Sequence, residues 1–338
     1  MQIKKILSDD LEACYCLCRL QADQHDFLLV ASEVEGACYA YNLNNGLKKQ
    51  VVWQDVGGSM SIVQIPGTMD FLATQKFYPG FDAAACHIVY GKFAQDGWQI
   101  EKIANFPYLH RFDVMASENG QLLFIGCTIA NSKREIEDWS DKGKVIVGNF
   151  DRKELVLKEL RELPIRLTKN HGYYAQHDKG YSLITAVEGV VKLTYPDFSD
   201  SGDWTLECLF NEETSDIVCL DINQDGQAEN IIIQGFHGDR LRLLSQDFTQ
   251  ELYSYPSPTP FGHALWAGNL MGQAVFVFGF RAGKAQLRLF YAHQGHIESV
   301  LIDEMSGASN TLAFEKDGKS YLFSANNARG EVALYQLS

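Results

Sequence analysis

Residues 230–244 read NIIIQGFHGDRLRLL: an apolar run, a tight glycine-containing turn, then a second run that alternates apolar with basic residues. Short apolar runs bounded by such a turn are β-strands, and a turn this short makes them neighbours in one antiparallel sheet. The unit recurs along the chain. It appears as FLLVASEVEGACYAY from Phe27, DFLATQKFYPGFDAAACHIVY from Asp70 and LLFIGCTIANS…KVIVGNF from Leu122. It continues as YSLITAVEGVVKLTY from Tyr181, VFVFGFRAGKAQLRLFY from Val275 and YLFSANNARGEVALY from Tyr321. The seven copies are spaced by roughly 43 to 58 residues, the period of a β-propeller blade of four strands.

Six copies are followed by a fourth strand: QVVWQ, WQIEKIA, LVLKELREL, WTLECLF, QELYSY and IESVLID. Only LVLKELREL could pass for a helix, and its slot is a strand in the other copies. The seventh copy runs out at Ser338 without a fourth strand, and the chain opens with a spare one, MQIKKIL. The accounting predicts an all-β, seven-bladed β-propeller over residues 1–338, one domain, in which the N-terminal strand completes the last blade. Closure of that kind removes exposed sheet edges.

Composition agrees. Apolar residues make up 46% and charged residues 21% of 338 residues, enough for a large core. The formal net charge of −14 repels phosphate backbones and argues against nucleic acid as a partner. No stretch has the length of a membrane span. MQIKKILSDD lacks the apolar segment of a signal peptide, so a cytoplasmic location is expected. Cys14, Cys16 and Cys18 alternate on one strand and are expected to be buried reduced thiols.

Blade geometry assigns the polar residues to a face. First strands line the axis, and the fourth-to-first and second-to-third loops open at one end of it. The first strands begin at LHRFDV, KNHGYY, TSDIVC, FGHALW and GASNTL. His110, Arg111, His171, Asp216, His263 and Asn310 are therefore expected at that mouth. Second-to-third loops add His237, Asp239 and Arg240, Arg281, and Asn326, Asn327 and Arg329, with Lys76, Tyr78 and Glu188 in the same loop type. Histidines suit proton transfer or metal ligation, and arginines suit an anionic group. Tyr173, Tyr174, Trp266 and Phe280 would supply aromatic walls. The insertion NSKREIEDWSDKG, residues 131 to 143, falls in a second-to-third loop and reads as a lid or a solvated excursion.

DINQDGQAE, residues 221 to 229, places Asp221, Asn223, Asp225 and Glu229 at the oxygen-ligand spacing of a calcium loop, on the opposite face. Its counterparts ASENG, HDKG, NLMG and EKDG lack the acidic set and read as turns. GxSxG, GxxxxGK[ST], HExxH and GxGxxG are all missing from the sequence, so no nucleotide cofactor is expected. VGGSM, from Val56, reads as a turn at a blade junction.

DINQDGQAENIII resembles an FG-GAP repeat of the VCBS type, and two later blades fit that pattern more loosely. Within that group the chain resembles the propeller of aldos-2-ulose dehydratase/isomerase and propeller-fold polysaccharide lyases. The resemblance implies a carbohydrate lyase or dehydratase acting by β-elimination on a sugar or uronate. It carries no residue-by-residue assignment. From the residues, His171 or His263 would be the base, Tyr173 or Tyr174 the acid, and Arg111, Arg240 and Arg281 the holders of an oxyanion. His110, His171, His237 and His263 would alternatively bind a divalent metal: manganese, zinc, magnesium or calcium. Lys76, Tyr78, Tyr174, Trp266, Asn310 and Asn327 would contact substrate. The other reading is a propeller that binds a glycan or a protein without turnover.

Overall fold

The computed structural model describes residues 1–78, 83–95 and 97–338. Strand β1 (Ile3–Asp10) precedes a first sheet of β2 (Cys14–Ala22), β3 (His25–Ser32), β4 (Cys38–Asn42) and β5 (Lys48–Trp53). The second holds β6 (Ile62–Gln64), β7 (Phe71–Gln75), β8 (His87–Ala94) and β9 (Gly97–Asn105). The third holds β10 (Leu109–Ala116), β11 (Leu122–Thr128), β12 (Gly143–Asp151) and β13 (Val156–Leu167). β14 (Gly172–Gln176), β15 (Tyr181–Ala186), β16 (Gly189–Thr194) and β17 (Thr205–Phe210) form the fourth. β18 (Thr214–Leu220), β19 (Glu229–Gln234), β20 (Arg240–Leu244) and β21 (Glu251–Ser254) form the fifth. The sixth is β22 (Gly262–Leu270), β23 (Gln273–Phe280), β24 (Leu287–His293) and β25 (His296–Asp303). The seventh is ordered β1, β28 (Glu331–Leu337), β27 (Lys319–Asn326), β26 (Asn310–Lys316). This is a seven-bladed β-propeller of four-stranded antiparallel sheets. LVLKELREL, apart from Leu155 just before it, lies within β13 and is strand, as its slot requires.

The contacts divide the chain into two compact units. One comprises Met1–Cys14, Leu183–Lys192 and Glu207–Ser338, the other Tyr15–Ser182 and Leu193–Leu206. In the first unit the inner strands β18, β22 and β26 pack in series. Its core includes Val275, Val277, Leu287, Leu289, Leu322 and Tyr335. In the second, β10 packs against β6 and β14, and outer strand β9 against β5 and β13.

The seventh blade closes as the strand accounting requires. β1 pairs antiparallel with β28 from Ile3↔Leu337 to Asp10↔Glu331. Glu331 is the polar centre of that closure. Its carboxylate accepts from Lys5 Nζ at 2.8 and 3.0 Å, Ser8 Oγ at 2.6 Å, Asn326 Nδ2 at 2.9 Å and Arg329 Nη1 at 2.7 Å. Lys5 and Arg329 also bridge to Asp303, at 2.9 and 3.0 Å. Arg329, expected at the mouth of the axis, is thus committed to Asp303 and Glu331.

VGGSM lies at the expected blade junction, between β5 and β6, as an irregular segment rather than a turn, its backbone bonded to Ser32 and Val34 on one side and Lys76 and Phe77 on the other. Gly57 has φ +55, and a Cβ on it would lie 1.6 Å from the Val34 carbonyl oxygen. Only glycine fits there.

All eight cysteines are free. Burial pushes the Cys16, Cys18, Cys86 and Cys127 thiols up to about 12, and Cys38 also rises. Cys208 is exposed. A thiolate is the reactive form, so alkylation of the native protein near pH 8 is expected at Cys208 first. The buried thiols should be modified only after unfolding. Peptide mass mapping after a short iodoacetamide pulse checks this, and early labelling of Cys16 or Cys38 would contradict it.

Candidate active site

Three of the four predicted histidines enter their blades in the same way. His110, His171 and His263 each follow by two positions a non-glycine residue in the left-handed region: Tyr108 (φ +59), Lys169 (φ +53) and Phe261 (φ +62). Such a conformation costs an L-residue about 1–2 kcal/mol, so surrounding contacts must hold it. A register shift follows in two of these strands. Leu109 pairs with Thr128 and Arg111 with Cys127, leaving His110 as the extra residue of a bulge. Gly262 pairs with Phe280 and Ala264 with Gly279, leaving His263 in the same role. In the fifth blade Ser215 is the extra residue, between Thr214 and Asp216. A bulge re-aims the side chain it carries and ends regular pairing locally.

In the unit that contains the C-terminus, His263 is 3% exposed. Its Nδ1 lies 2.6 Å from the Ser309 carbonyl oxygen. A carbonyl only accepts, so Nδ1 carries the proton and Nε2 is the basic nitrogen. His237, in the turn after β19 at φ +50, stacks on Phe236 at 4.0 Å and on His263 at 5.2 Å, and lies tilted against Phe261 at 4.3 Å. Its backbone N–H donates to Ser215 Oγ at 3.3 Å, which ties the turn to the neighbouring bulge. The Arg281 guanidinium lies 4.9 Å from the Phe261 ring centroid and donates to Asn327 Oδ1. Asn327 Nδ2 donates to the Cys14 carbonyl at 2.9 Å, and Ser309 Oγ donates to that same oxygen at 2.8 Å. His263, Ser309, Cys14, Asn327, Arg281 and Phe261 are thereby one connected set. Two imidazoles, a cation and phenyl walls stand on anchored backbone.

In the other unit His110 and His171 are both buried, with ring centroids 4.7 Å apart. His110 Nδ1 donates to the His171 carbonyl at 3.0 Å, and Nε2 lies 3.4 Å from the Tyr15 hydroxyl. Arg111 donates to the Met60 carbonyl at 2.7 Å, its guanidinium 5.6 Å from the Tyr15 ring centroid. The insertion folds on itself. Asn131 and Ser132 donate to Asp141, and Lys133 Nζ stands 3.5 Å over the Trp139 ring, which Lys169 also approaches at 5.4 Å.

The remaining predicted residues are placed as follows. Arg240 opens β20 and bridges to Glu251 of the outer strand at 3.6 Å. Trp266 packs against the core of its unit, its ring beside Gly268. Asn310 begins β26 opposite Ala325, and Tyr174 is half-buried in β14. Lys76 is exposed at φ +58, and Tyr78 donates to the Val56 carbonyl at 2.9 Å. The DINQDGQAE loop is closed by its own side chains. Asp221 accepts from the N–H groups of Asp225 and Gly226 at 3.0 and 2.9 Å. Asn223 Nδ2 donates to Asp225 and Glu229, and Glu229 accepts from the Ile222 N–H. That pattern is a tight Asx-type turn. Burial raises the Glu229 carboxyl, and Asp225 and Asp221 add to the rise.

Tyr173 belongs to a network the sequence did not reveal. It donates to Asp113 Oδ2 at 2.9 Å and accepts from Ser182 Oγ at 2.6 Å, and Ser182 is in turn 2.5 Å from the Tyr195 hydroxyl. His177 Nε2 lies 2.5 Å from the same Asp113 oxygen, and that hydrogen bond raises the imidazole against the effect of burial. HDKG is a turn, as expected, a 3-10 turn over His177–Lys179. The spacing of Asp113 and His177, on adjacent blades, gave no hint that they meet.

No protein-family model matches the chain, and no curated protein matches it in sequence. Solved structures do resemble it. Virginiamycin B lyase from Staphylococcus aureus has a TM-score of 0.62 at 13% identity, with 100% of both chains covered. The WD40 beta propeller domain of Doa1 has a TM-score of 0.61 at 11% identity, covering 99% of this chain and 97% of that one. At these identities the likeness establishes the propeller fold. Among the described residues no helix is long and apolar enough to cross a membrane.

Proposed function

We propose that this propeller is a lyase that removes a carbon-bound proton beside a carboxylate or carbonyl of a small carbohydrate and expels the β-oxygen. The observation that carries the reading is the anchored His263. Donation from Nδ1 to the Ser309 carbonyl makes Nε2 the proton acceptor, and Arg281, held by Asn327 beside Phe261, is a cation for the developing enolate. In the reaction the base takes the proton, the C–H electron pair becomes the new C=C bond, and the C–O bond breaks. The departing oxygen takes up a proton, either the one His263 has removed from carbon or one from solvent water, and leaves as an alcohol or water. The balance needs no oxidant or reductant. A protein named a lyase has a similar fold, which is consistent with this class of reaction on a propeller.

In an alternative form His237 and His263 would hold a divalent metal as a Lewis acid on the enolate oxygen; with its Nε2 taken by the metal, His263 would not then be the base. The DINQDGQAE loop would at most take a structural cation. Nucleic acid is not a proposed partner, given the net charge of −14.

Element-specific metal analysis of purified wild type, His237→Ala and His263→Ala tests the metal-assisted form. Stoichiometric metal in wild type, lost in both variants, is the expected result. Metal that survives in both variants would exclude these ligands and leave His263 to act as a base alone.

A further inference from the structure

His177, which is hydrogen-bonded to Asp113, lines a cleft of about 320 Å³ in the second unit, together with Pro66, Met115, Ser117, Glu118, Asp197 and Phe198. It is formed by first-to-second loops (after β6, β10 and β14) and the turn after β16, at the other end of the strands from His110 and His171. It shares no residue with the His263 site.

Three features of its wall are specific. Phe198 is 48% exposed although its turn is fixed: Tyr195 N–H donates to the Gly180 carbonyl at 2.9 Å, and a Cβ on Gly180 would lie 1.9 Å from the Phe198 ring. An ordered aromatic ring is thus presented to solvent. Asp197 Oδ2 accepts from the Glu118 N–H at 2.9 Å, which brings two exposed acidic residues together at the rim. Behind them, the Asp113 carboxylate is already engaged by His177 Nε2 at 2.5 Å and by the Tyr173 hydroxyl at 2.9 Å, so Glu118 and Asp197 are the acidic groups at the opening itself.

We propose that this cleft binds a small organic cation, an ammonium or guanidinium group on an apolar stem, with its charge at Glu118 and Asp197 and its stem on Phe198. A cation is drawn both to carboxylates and to the face of an aromatic ring, and Pro66 and Met115 offer the stem an apolar bed.

The test is a titration of the full chain with benzylamine, followed by NMR, with benzyl alcohol as the uncharged control. Saturable shifts are expected with benzylamine, with binding at least ten-fold weaker for benzyl alcohol. Phe198→Ala, and Asp197→Asn combined with Glu118→Gln, should each weaken benzylamine at least five-fold. All the substituted residues are exposed, and circular dichroism should show an unchanged fold. Failure of benzylamine to saturate, equal binding of the alcohol, or unchanged affinity in the carboxylate variant would overturn the proposal. None of these outcomes bears on elimination at His263.

Discussion

Replacement of Glu331 by alanine is expected to destabilise the protein by about 2–4 kcal/mol, and by glutamine somewhat less. The carboxylate side chain is only 9% exposed and takes hydrogen bonds from β1, β27 and the turn before β28. Its loss leaves Lys5 and Arg329 with Asp303 as their remaining carboxylate partner, and both are about one-third exposed and so retain partial solvation. That exposure keeps the expected cost below the upper end for a fully buried pair. The midpoint of urea unfolding measures it.

The same carboxylate predicts an acid dependence. Burial alone would raise it, but hydrogen bonds from Lys5, Ser8, Asn326 and Arg329 outweigh burial and bring it down to about 2, from an ordinary 4.5. A group lowered on folding stabilises the native state fully above its unfolded value, and that contribution disappears as pH falls through the folded one. Stability should therefore decline from about pH 4.5 towards 2. Asp303, held low against the effect of burial by Arg329, Tyr335 and Lys5, adds to the decline in the same direction. Glu331→Gln should flatten this slope in part. An equally steep acid slope in the variant would show that Glu331 does not contribute as described.

The second large effect belongs to His263. If Nε2 is the base, His263→Gln should lower the elimination rate by about 10²–10⁴-fold. Glutamine keeps much of the volume and a polar end against Ser309, so thermal unfolding should change little compared with the rate. An unfolding midpoint close to that of wild type, combined with a lost rate, separates chemistry from packing. A variant that retains full rate would remove His263 from the mechanism.

The architecture was legible because a propeller repeats its turns. Strand lengths, glycine turns and the unpaired first strand gave seven sheets and the β1–β28 closure. Side-chain direction was less legible, because one extra residue in a strand reverses the alternation of faces. The bulges at His110 and His263 each follow a proline and an aromatic residue in the left-handed region, Pro107-Tyr108 and Pro260-Phe261, a mark that the period of the repeat does not itself single out. Arg240 and Arg329 show the other limit. Their loops were placed correctly, but nearby carboxylates, Glu251 for one and Asp303 with Glu331 for the other, claim their guanidinium groups. Asp113 and His177 meet only because adjacent blades pack, a contact that no spacing within one repeat encodes.

The most direct measurement is product formation itself. Purified protein, with divalent metal supplied, is incubated with a panel of uronate-containing oligosaccharides and ketosugars, and NMR follows the new vinylic proton. At least one substrate is expected to yield an unsaturated sugar catalytically. Saturable binding of these sugars without any unsaturated product would contradict it, and would make the propeller a binding protein.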